Sequence, residues 1–283
     1  MISGAIHLSM NRDFKTFFKK NILKLTIILF SWNFIYATVG LINGSSFSDF
    51  IYSFIGGHYH LWFLYMLLGL YFMTPFFKKF LDNPKNVKLF LLISFIFGIA
   101  LPELSDIFSI LPSPLNSVGS GLNHALGVAG FGKLLGYSFY YILGYYLHHK
   151  TLDIKTKKII YIAGVLSVAI TFFATWGFSI FTNSPVAILL KDLTINNVLV
   201  SIALFTYTKH HIKKNFISNL LIRTSKYSLG IYVIHILILE NVLIFLPFMP
   251  TIIDVPIKAI LCFSISLIAT FCIHKIPLLK KIV

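Results

Sequence analysis

The sequence predicts an all-α integral membrane protein, a polytopic bundle of about eight transmembrane helices with cytoplasmic N and C termini. Hydrophobic residues make up 57% of the 283 residues and charged residues only 12%, whereas a soluble domain carries about 25% charged residues. The apolar runs are roughly 17 to 25 residues long, the length at which a helix crosses a bilayer. They do not show the ten-residue alternation of a membrane barrel.

Eight apolar runs account for most of the chain, and we interpret residues 1–283 as a single transmembrane domain. The sixth run is short and opens with Asn196 and Asn197. The predicted spans are 25–42, 60–77, 89–104, 131–147, 159–178, 193–208, 227–246 and 257–274.

The basic residues predict the orientation of these spans. Every Lys and Arg except Lys133, Lys191 and Lys258 falls on one side of the membrane if all eight runs cross. Cytoplasmic segments carry such an excess of basic residues, so both termini are predicted to be cytoplasmic. The net charge of +15 therefore reflects membrane topology, and nucleic acid is not a predicted partner. The segments on the basic side are 1–24, 78–88, 148–158, 209–226 and 275–283.

The second span opens with a polar and aromatic group in "GGHYHLWFLYMLLGLYFMTPFFKKF" (Gly56–Phe80). Its basic end is cytoplasmic, so His58 and His60 are expected at the outer interface. Trp62 suits an interfacial aromatic anchor, whereas a neutral His can act as a general base near neutral pH. Zinc takes three or four ligands, and the two His have no companion cluster on that side, so no metal is predicted.

The segment 105–130, "SDIFSILPSPLNSVGSGLNHALGVAG", is predicted to be a long outer loop because it is rich in Ser, Pro, Gly and Asn. Loops on a rigid scaffold often carry binding residues. This one could hold a sugar beside a polar membrane entrance, or it could be a plain connector.

The stretch "YSLGIYVIHILILENVLIF" (Tyr227–Phe245) places His235 and Glu240 inside a predicted span. Ionisable groups cost about 2.5–3.5 kcal/mol there on insertion scales, which favours a role or a partner. Tyr232 shares a helix face with His235, whereas Glu240 lies roughly 140° further round. The alternative for His235 is a structural hydrogen bond between helices, and for Glu240 a protonated structural side chain.

A Lys-rich stretch, "FFKKNILKLTI" (Phe17–Ile27), leads into the first span. Lys20 and Lys24 could provide point charges for an anionic phosphate donor at the cytoplasmic face. They could equally serve only to set the topology.

Three stretches together resemble the membrane-bound acyltransferase family 3, the surface-glycan O-acyltransferases. "GGHYHLWFLYMLLGLYFMTPFF" is similar to the family's His-Leu-Trp-Phe start of a helix, and "SKYSLGIYVIHILIL" to its late Tyr-x-x-x-Ile-Tyr-x-x-His helix. "MISGAIHLSMNRDFKTFFKKNILKL" resembles the family's Ser-Gly and the basic linker that follows it. The resemblance covers essentially this whole chain and about the last four-fifths of the family domain.

This resemblance implies a ten-helix family that moves an acyl group, usually acetyl from acetyl-CoA, to a hydroxyl of a glycan or lipid-linked sugar. It implies a cell (plasma or inner) membrane protein in contact with membrane lipids. No permanently bound cofactor is expected, and acetyl-CoA or another acyl-CoA is the expected donor substrate. The expected acceptor is a cell-surface polysaccharide or a lipid-linked sugar.

The chain departs from the family pattern at two places. The family's first helix carries a Lys or Arg followed eleven positions later by a catalytic His, and no His here follows a basic residue at that distance. The chain is therefore expected to lack the family's first two helices. Asn21 and Lys24 stand where the family has Arg-x-x-Arg, which removes half of the charge pair and replaces a bidentate Arg by Lys.

These observations lead to a set of candidate site residues. The catalytic residue is unknown, because the family's His is not in the chain, and the candidates are His60 and His235. The candidate donor-binding residues are Lys20 and Lys24. The candidate acceptor-binding residues are His58, Trp62, Tyr65, Tyr232 and Glu240.

Two other functions fit the same residues. The first is an exopolysaccharide or lipid-linked glycan export component without acyl transfer, since His and Glu inside a membrane also suit a polar pathway. The second is an inactive remnant of the acyltransferase.

Overall fold

The structure is a computed structural model. The described part of the chain is helical and has no β-strand, which confirms the predicted fold class. Arg12, Lys213 and Lys214, which the topology argument uses, lie outside the described residues. The described residues are 1–10, 13–212, 215–246 and 250–283. The α-helices are α1 (Ile2–His7), α2 (Phe14–Phe17), α3 (Leu23–Ile42), α4 (Phe47–Gly56), α5 (Trp62–Leu81), α6 (Pro84–Phe95), α7 (Leu101–Ser109), α8 (Leu115–Ala129), α9 (Tyr137–His149), α10 (Ile154–Phe181), α11 (Ile195–His211), α12 (Phe216–Ser225), α13 (Ser228–Asn241) and α14 (Thr251–His274).

Seven helical stretches within the described ranges are long and apolar enough to cross a membrane. They confirm a multi-pass helical membrane protein, while the side on which each terminus lies stays a prediction. The remaining predicted span, 131–147, forms a π-helical turn (Gly132–Gly136) that continues directly into α9, and it is not one of the seven stretches. The seven stretches are Phe14–Ile42, Phe47–Leu81, Pro84–Ser109, Ile154–Phe181, Ile188–His211, Ser228–Phe245 and Thr251–His274.

The prediction of an outer loop over 105–130 is wrong, because most of this segment is helical in α7 and α8. The two helices pack closely at Gly119, where a Cβ would overlap the backbone of Ser105 and Ser109. The hydroxyl of Ser105 donates to the Gly119 carbonyl at 3.2 Å. This close packing stabilises a helix whose Ser, Gly and Asn have low helix propensity.

The chain forms two compact units, and the first comprises Met1–Asn11 and Met73–Ile212. At its centre, Phe139, Leu143 and Leu147 of α9 recur every four residues in a buried cluster. Lys209 of α11 donates to the carbonyls of Leu147 (2.9 Å) and His148 (2.7 Å) in the last turn of α9. A basic side chain at a helix C terminus pairs carbonyls that have no partner within the helix.

The second unit comprises Arg12–Phe72 and Lys213–Val283, and α3 is its central helix. Its buried side chains recur every three or four residues and form one stripe. The stripe includes Trp32, whose indole Nε1 donates to the Ile282 carbonyl at 2.7 Å. The helices α13 and α14 pack as an antiparallel pair in the same unit. The buried residues of α3 are Leu25, Ile28, Leu29, Trp32, Asn33, Tyr36 and Ala37.

The α7–α8 contact predicts a difference between two glycines of one helix. Gly119→Ala places a methyl group against backbone, so we expect the free energy of unfolding to fall by about 1–3 kcal/mol. Gly121 has open space around its Cβ position, so Gly121→Ala is the matched control and keeps or raises stability. Thermal unfolding in detergent measures both, and equal melting temperatures for the two variants would contradict the close packing.

Candidate functional site

A break in the helical backbone separates α4 from α5 in the second unit. Gly57 has φ +78° and ψ 162°, a conformation that is essentially restricted to glycine. His58 is extended, and a 3₁₀ turn at Tyr59–Leu61 leads into α5. The break lies inside the apolar stretch Phe47–Leu81, where irregular backbone is tolerated only if the protein or water satisfies its polar groups.

Asn33 and Tyr65 satisfy the carbonyls just before the break. The Asn33 amide donates to the carbonyl of Phe54 at 3.1 Å and to the Tyr65 hydroxyl at 2.7 Å. The Tyr65 hydroxyl in turn donates to the Ile55 carbonyl at 3.0 Å. Tyr65, predicted to bind the acceptor, thus has its hydroxyl engaged with the backbone of α4.

Just after the break, two histidines and a glutamate lie together. A hydrogen bond joins the Nδ1 atoms of His58 and His60, which are 2.9 Å apart, so one of the two rings donates from Nδ1 and the other accepts. The Nε2 atom of His58 lies 3.7 Å from a carboxylate oxygen of Glu240, and the other oxygen accepts the Tyr59 hydroxyl at 2.9 Å. Tyr232 donates from its hydroxyl to the His60 carbonyl.

Tyr36 of α3 hydrogen-bonds to the backbone of α13. Its hydroxyl donates to the Val233 carbonyl at 2.9 Å and accepts the Leu237 amide proton at 3.1 Å. These two backbone groups are also each other's partners in a regular α-helix, so the Tyr36 hydroxyl joins α3 to one turn of α13. The Tyr36 ring also stacks on His58, with 4.4 Å between the ring centroids.

His235 lies in the same turn of α13, with its ring perpendicular to that of His60 and 5.4 Å between the ring centroids. Its Nδ1 is 2.5 Å from the Tyr232 carbonyl. A carbonyl can only accept, so Nδ1 carries the proton and Nε2 of the neutral ring holds a lone pair. We call His58, His60 and His235 the imidazole cluster.

His235 also lines an open cavity of about 490 Å³ between α13 and α14, which we call the α13–α14 groove. Asp254 and Lys258 form an ion pair in its wall, with 2.9 Å between Oδ2 and Nζ. Cys262, also in the wall, donates its thiol to the His235 carbonyl at 3.2 Å. The groove therefore combines apolar walls with one imidazole and one ion pair.

The structure does not bring all the predicted site residues together. Lys20 lies in the π-helical turn Phe18–Ile22, and both Lys20 and Lys24 are exposed. Lys24 is twelve residues from Tyr36, about 18 Å along α3. Trp62 is the first residue of α5, is 45% exposed and packs against Phe63. The five predicted residues that converge are His58, His60, Tyr232, His235 and Glu240.

Sequence reasoning missed several members of this site. Tyr36 and Asn33 sit among apolar residues on the buried stripe of α3, and no local pattern distinguishes them. Asp254 and Lys258 did carry a signal, because an acid and a base four residues apart in an apolar run can pair on one helix face. Within the described ranges, no group of three or more His, Cys, Asp or Glu has a metal-site arrangement.

A family model described as an acyltransferase domain matches residues 1–275. The chain belongs to the acyltransferase 3 family. Membership in this family indicates a membrane acyltransferase, which agrees with the seven apolar helical stretches. No curated protein and no solved structure matches the chain.

The break predicts a sharp difference between two adjacent glycines of this acyltransferase. Gly57→Ala puts a side chain at positive φ and 2.8 Å from the Tyr65 ring, so we expect it to lose about 1–3 kcal/mol of stability. Gly56 ends α4 with open space at its Cβ position, so Gly56→Ala should be neutral. Denaturant titration in micelles compares them, and a tolerated Gly57→Ala would argue against the break.

Tyr36→Phe tests the contribution of the Tyr36 hydroxyl. The substitution removes its hydrogen bonds to the Val233 carbonyl and the Leu237 amide, at a net cost of about 0.5–1.5 kcal/mol for each bond. We expect a lower melting temperature and faster amide exchange in the peptide that contains Leu237. Tyr52 is 79% exposed, so Tyr52→Phe serves as the control. Unchanged exchange in Tyr36→Phe would contradict this role.

Proposed function

We propose that the protein is an O-acyltransferase that moves an acyl group, in the first instance acetyl, from acyl-CoA to a sugar hydroxyl. The observation that carries this proposal is the imidazole cluster, which lies next to a glutamate and at a groove in a member of an acyltransferase family. Imidazoles with a free lone pair provide general-base catalysis for attack by a hydroxyl.

The chemistry requires one proton transfer and one substitution. An imidazole nitrogen takes the proton of the acceptor hydroxyl while the oxygen attacks the thioester carbonyl carbon. The carbon–sulfur bond then breaks, and the imidazolium returns the proton to the leaving thiolate of CoA. His60 and His235 are the candidate bases, and Nε2 of His235 has the required lone pair because its Nδ1 proton is bound to the Tyr232 carbonyl.

His58, Glu240 and Tyr59 support the cluster in this proposal. The Glu240 carboxylate attracts the Nε2 side of His58, and Nδ1 of His58 is hydrogen-bonded to Nδ1 of His60. A carboxylate behind an imidazole orients the ring and stabilises its protonated form. In this role Glu240 and His58 are positioning residues.

The donor and the acceptor are proposed from their chemistry. Lys20 and Lys24 are exposed cations at the head of the first apolar stretch, which suits the phosphates of acyl-CoA. The acceptor is a cell-surface polysaccharide or a lipid-linked sugar, and the protein acts in the cell (plasma or inner) membrane.

Transfer of radiolabelled acetyl from acetyl-CoA to a glycan acceptor in proteoliposomes tests the proposal. We expect His60→Ala or His235→Ala to lower kcat by about 10²–10⁴-fold, the usual contribution of a general base. His210→Ala, at the exposed end of α11, is the control and should retain the wild-type kcat.

Two results would contradict different parts of the proposal. Wild-type kcat in both the His60 and His235 variants would remove the cluster from the reaction. Glycan movement across the membrane without acyl transfer by the unmodified protein would point to a translocation component instead.

A further inference from the structure

The α13–α14 groove has the dimensions of a ligand site. Ile231, His235 and Leu239 line it at four-residue intervals on α13, so it extends about 12 Å along the helix. Its volume of about 490 Å³ lies within the range typical of small-molecule pockets.

Exposed apolar side chains flank the groove. Helix α14 is one of the stretches apolar enough to cross a bilayer, and Val255 and Phe263 beside the groove are 59% and 50% exposed. Exposed apolar side chains on a membrane helix contact lipid, and the groove between them is accessible to a hydrocarbon chain.

One end of the groove is polar. Cys262 is level with His235 through their hydrogen bond, and Lys258 and Leu239 each lie one helical turn further on. The Lys258 ammonium pairs with one oxygen of Asp254, while the other oxygen, Oδ1, is buried and has no hydrogen-bond partner among the described residues. A buried acceptor without a donor costs free energy that a ligand hydroxyl can recover.

We propose that the α13–α14 groove binds a glycolipid, with one hydrocarbon chain along its apolar wall and a sugar hydroxyl donating to Asp254. This assignment rests on the proposed function and narrows its acceptor to a lipid-linked sugar. The Lys258 ammonium donates to another sugar oxygen. A phospholipid phosphate is disfavoured beside the Asp254 carboxylate, and a free polysaccharide leaves the apolar wall uncovered.

The polar end also lies close in sequence to the imidazole cluster. Leu239 of the groove precedes Glu240, whose carboxylate faces His58 and Tyr59. A sugar held at Asp254 and Lys258 is therefore on the same turn of α13 as Glu240. The lipid chain then holds the sugar about one to two helical turns from His235, towards Glu240.

Photolabelling tests the groove without any acyl donor. The probe is octyl glucoside with a diazirine in its alkyl chain, added to the full chain in proteoliposomes, and adducts are mapped by mass spectrometry. We expect adducts on α13 and α14, competed by octyl glucoside but not by octyl tetra-O-methylglucoside, which has no hydroxyl donor. A methylated sugar or a phosphatidylglycerol that competes equally well would overturn the glycolipid assignment.

Two matched variants locate the site. Ala259→Trp fills the groove and should reduce labelling about tenfold. Ile260→Trp is the control, because Ile260 is 66% exposed and does not line the groove. Equal labelling of the two variants would overturn the proposal.

A double variant tests sugar recognition separately. Asp254→Leu with Lys258→Met removes both charges together, which a protein usually tolerates better than removal of one partner. In the wild type we expect octyl glucoside to compete about tenfold better than its methylated analogue, because only octyl glucoside can donate to the buried acceptor. We expect the folded double variant to lose this preference. A retained preference would contradict the role of Asp254. Because no acyl-CoA is present, these results stand whether or not acyl transfer is found.

Discussion

The hydroxyl of Tyr36 is the contact around which the candidate site is organised. It hydrogen-bonds to both the Val233 carbonyl and the Leu237 amide. His235 lies between these two positions, and His58 stacks on the same Tyr36 ring. One side chain from α3 therefore contacts both the α13 turn that carries His235 and an imidazole from the α4–α5 break.

Around this contact, polar side chains satisfy backbone groups that a membrane interior would otherwise leave unpaired. Asn33 and Tyr65 donate hydrogen bonds to carbonyls at the end of α4, and Tyr232 donates to the carbonyl of His60. Such groups are expensive in hydrocarbon. These hydrogen bonds therefore stabilise the broken backbone in an apolar stretch of the chain.

The spans were predictable because hydrophobicity over about 20 residues is a local property of the chain. The helix α8 was not predictable, because its Ser, Gly and Asn residues are typical of a loop. Its stability comes from close packing at Gly119. The convergent His and Glu were found because ionisable residues stand out in apolar runs. Tyr36 was missed because its partners in α13 lie about two hundred residues away in sequence, and a single hydroxyl in an apolar stripe gives no periodic signal.

The indole of Trp32 has a spectroscopic consequence. Of the three tryptophans, Trp32 is 4% exposed, whereas Trp62 and Trp176 are 45% and 59% exposed. This low exposure shields the Trp32 indole from collisional quenchers, and its Nε1 proton is bound to the Ile282 carbonyl in the last turn of the chain. A protein in which Trp62 and Trp176 are replaced by phenylalanine would carry one intrinsic fluorophore, whose emission reports the attachment of residues 279–283 to the central helix of the second unit.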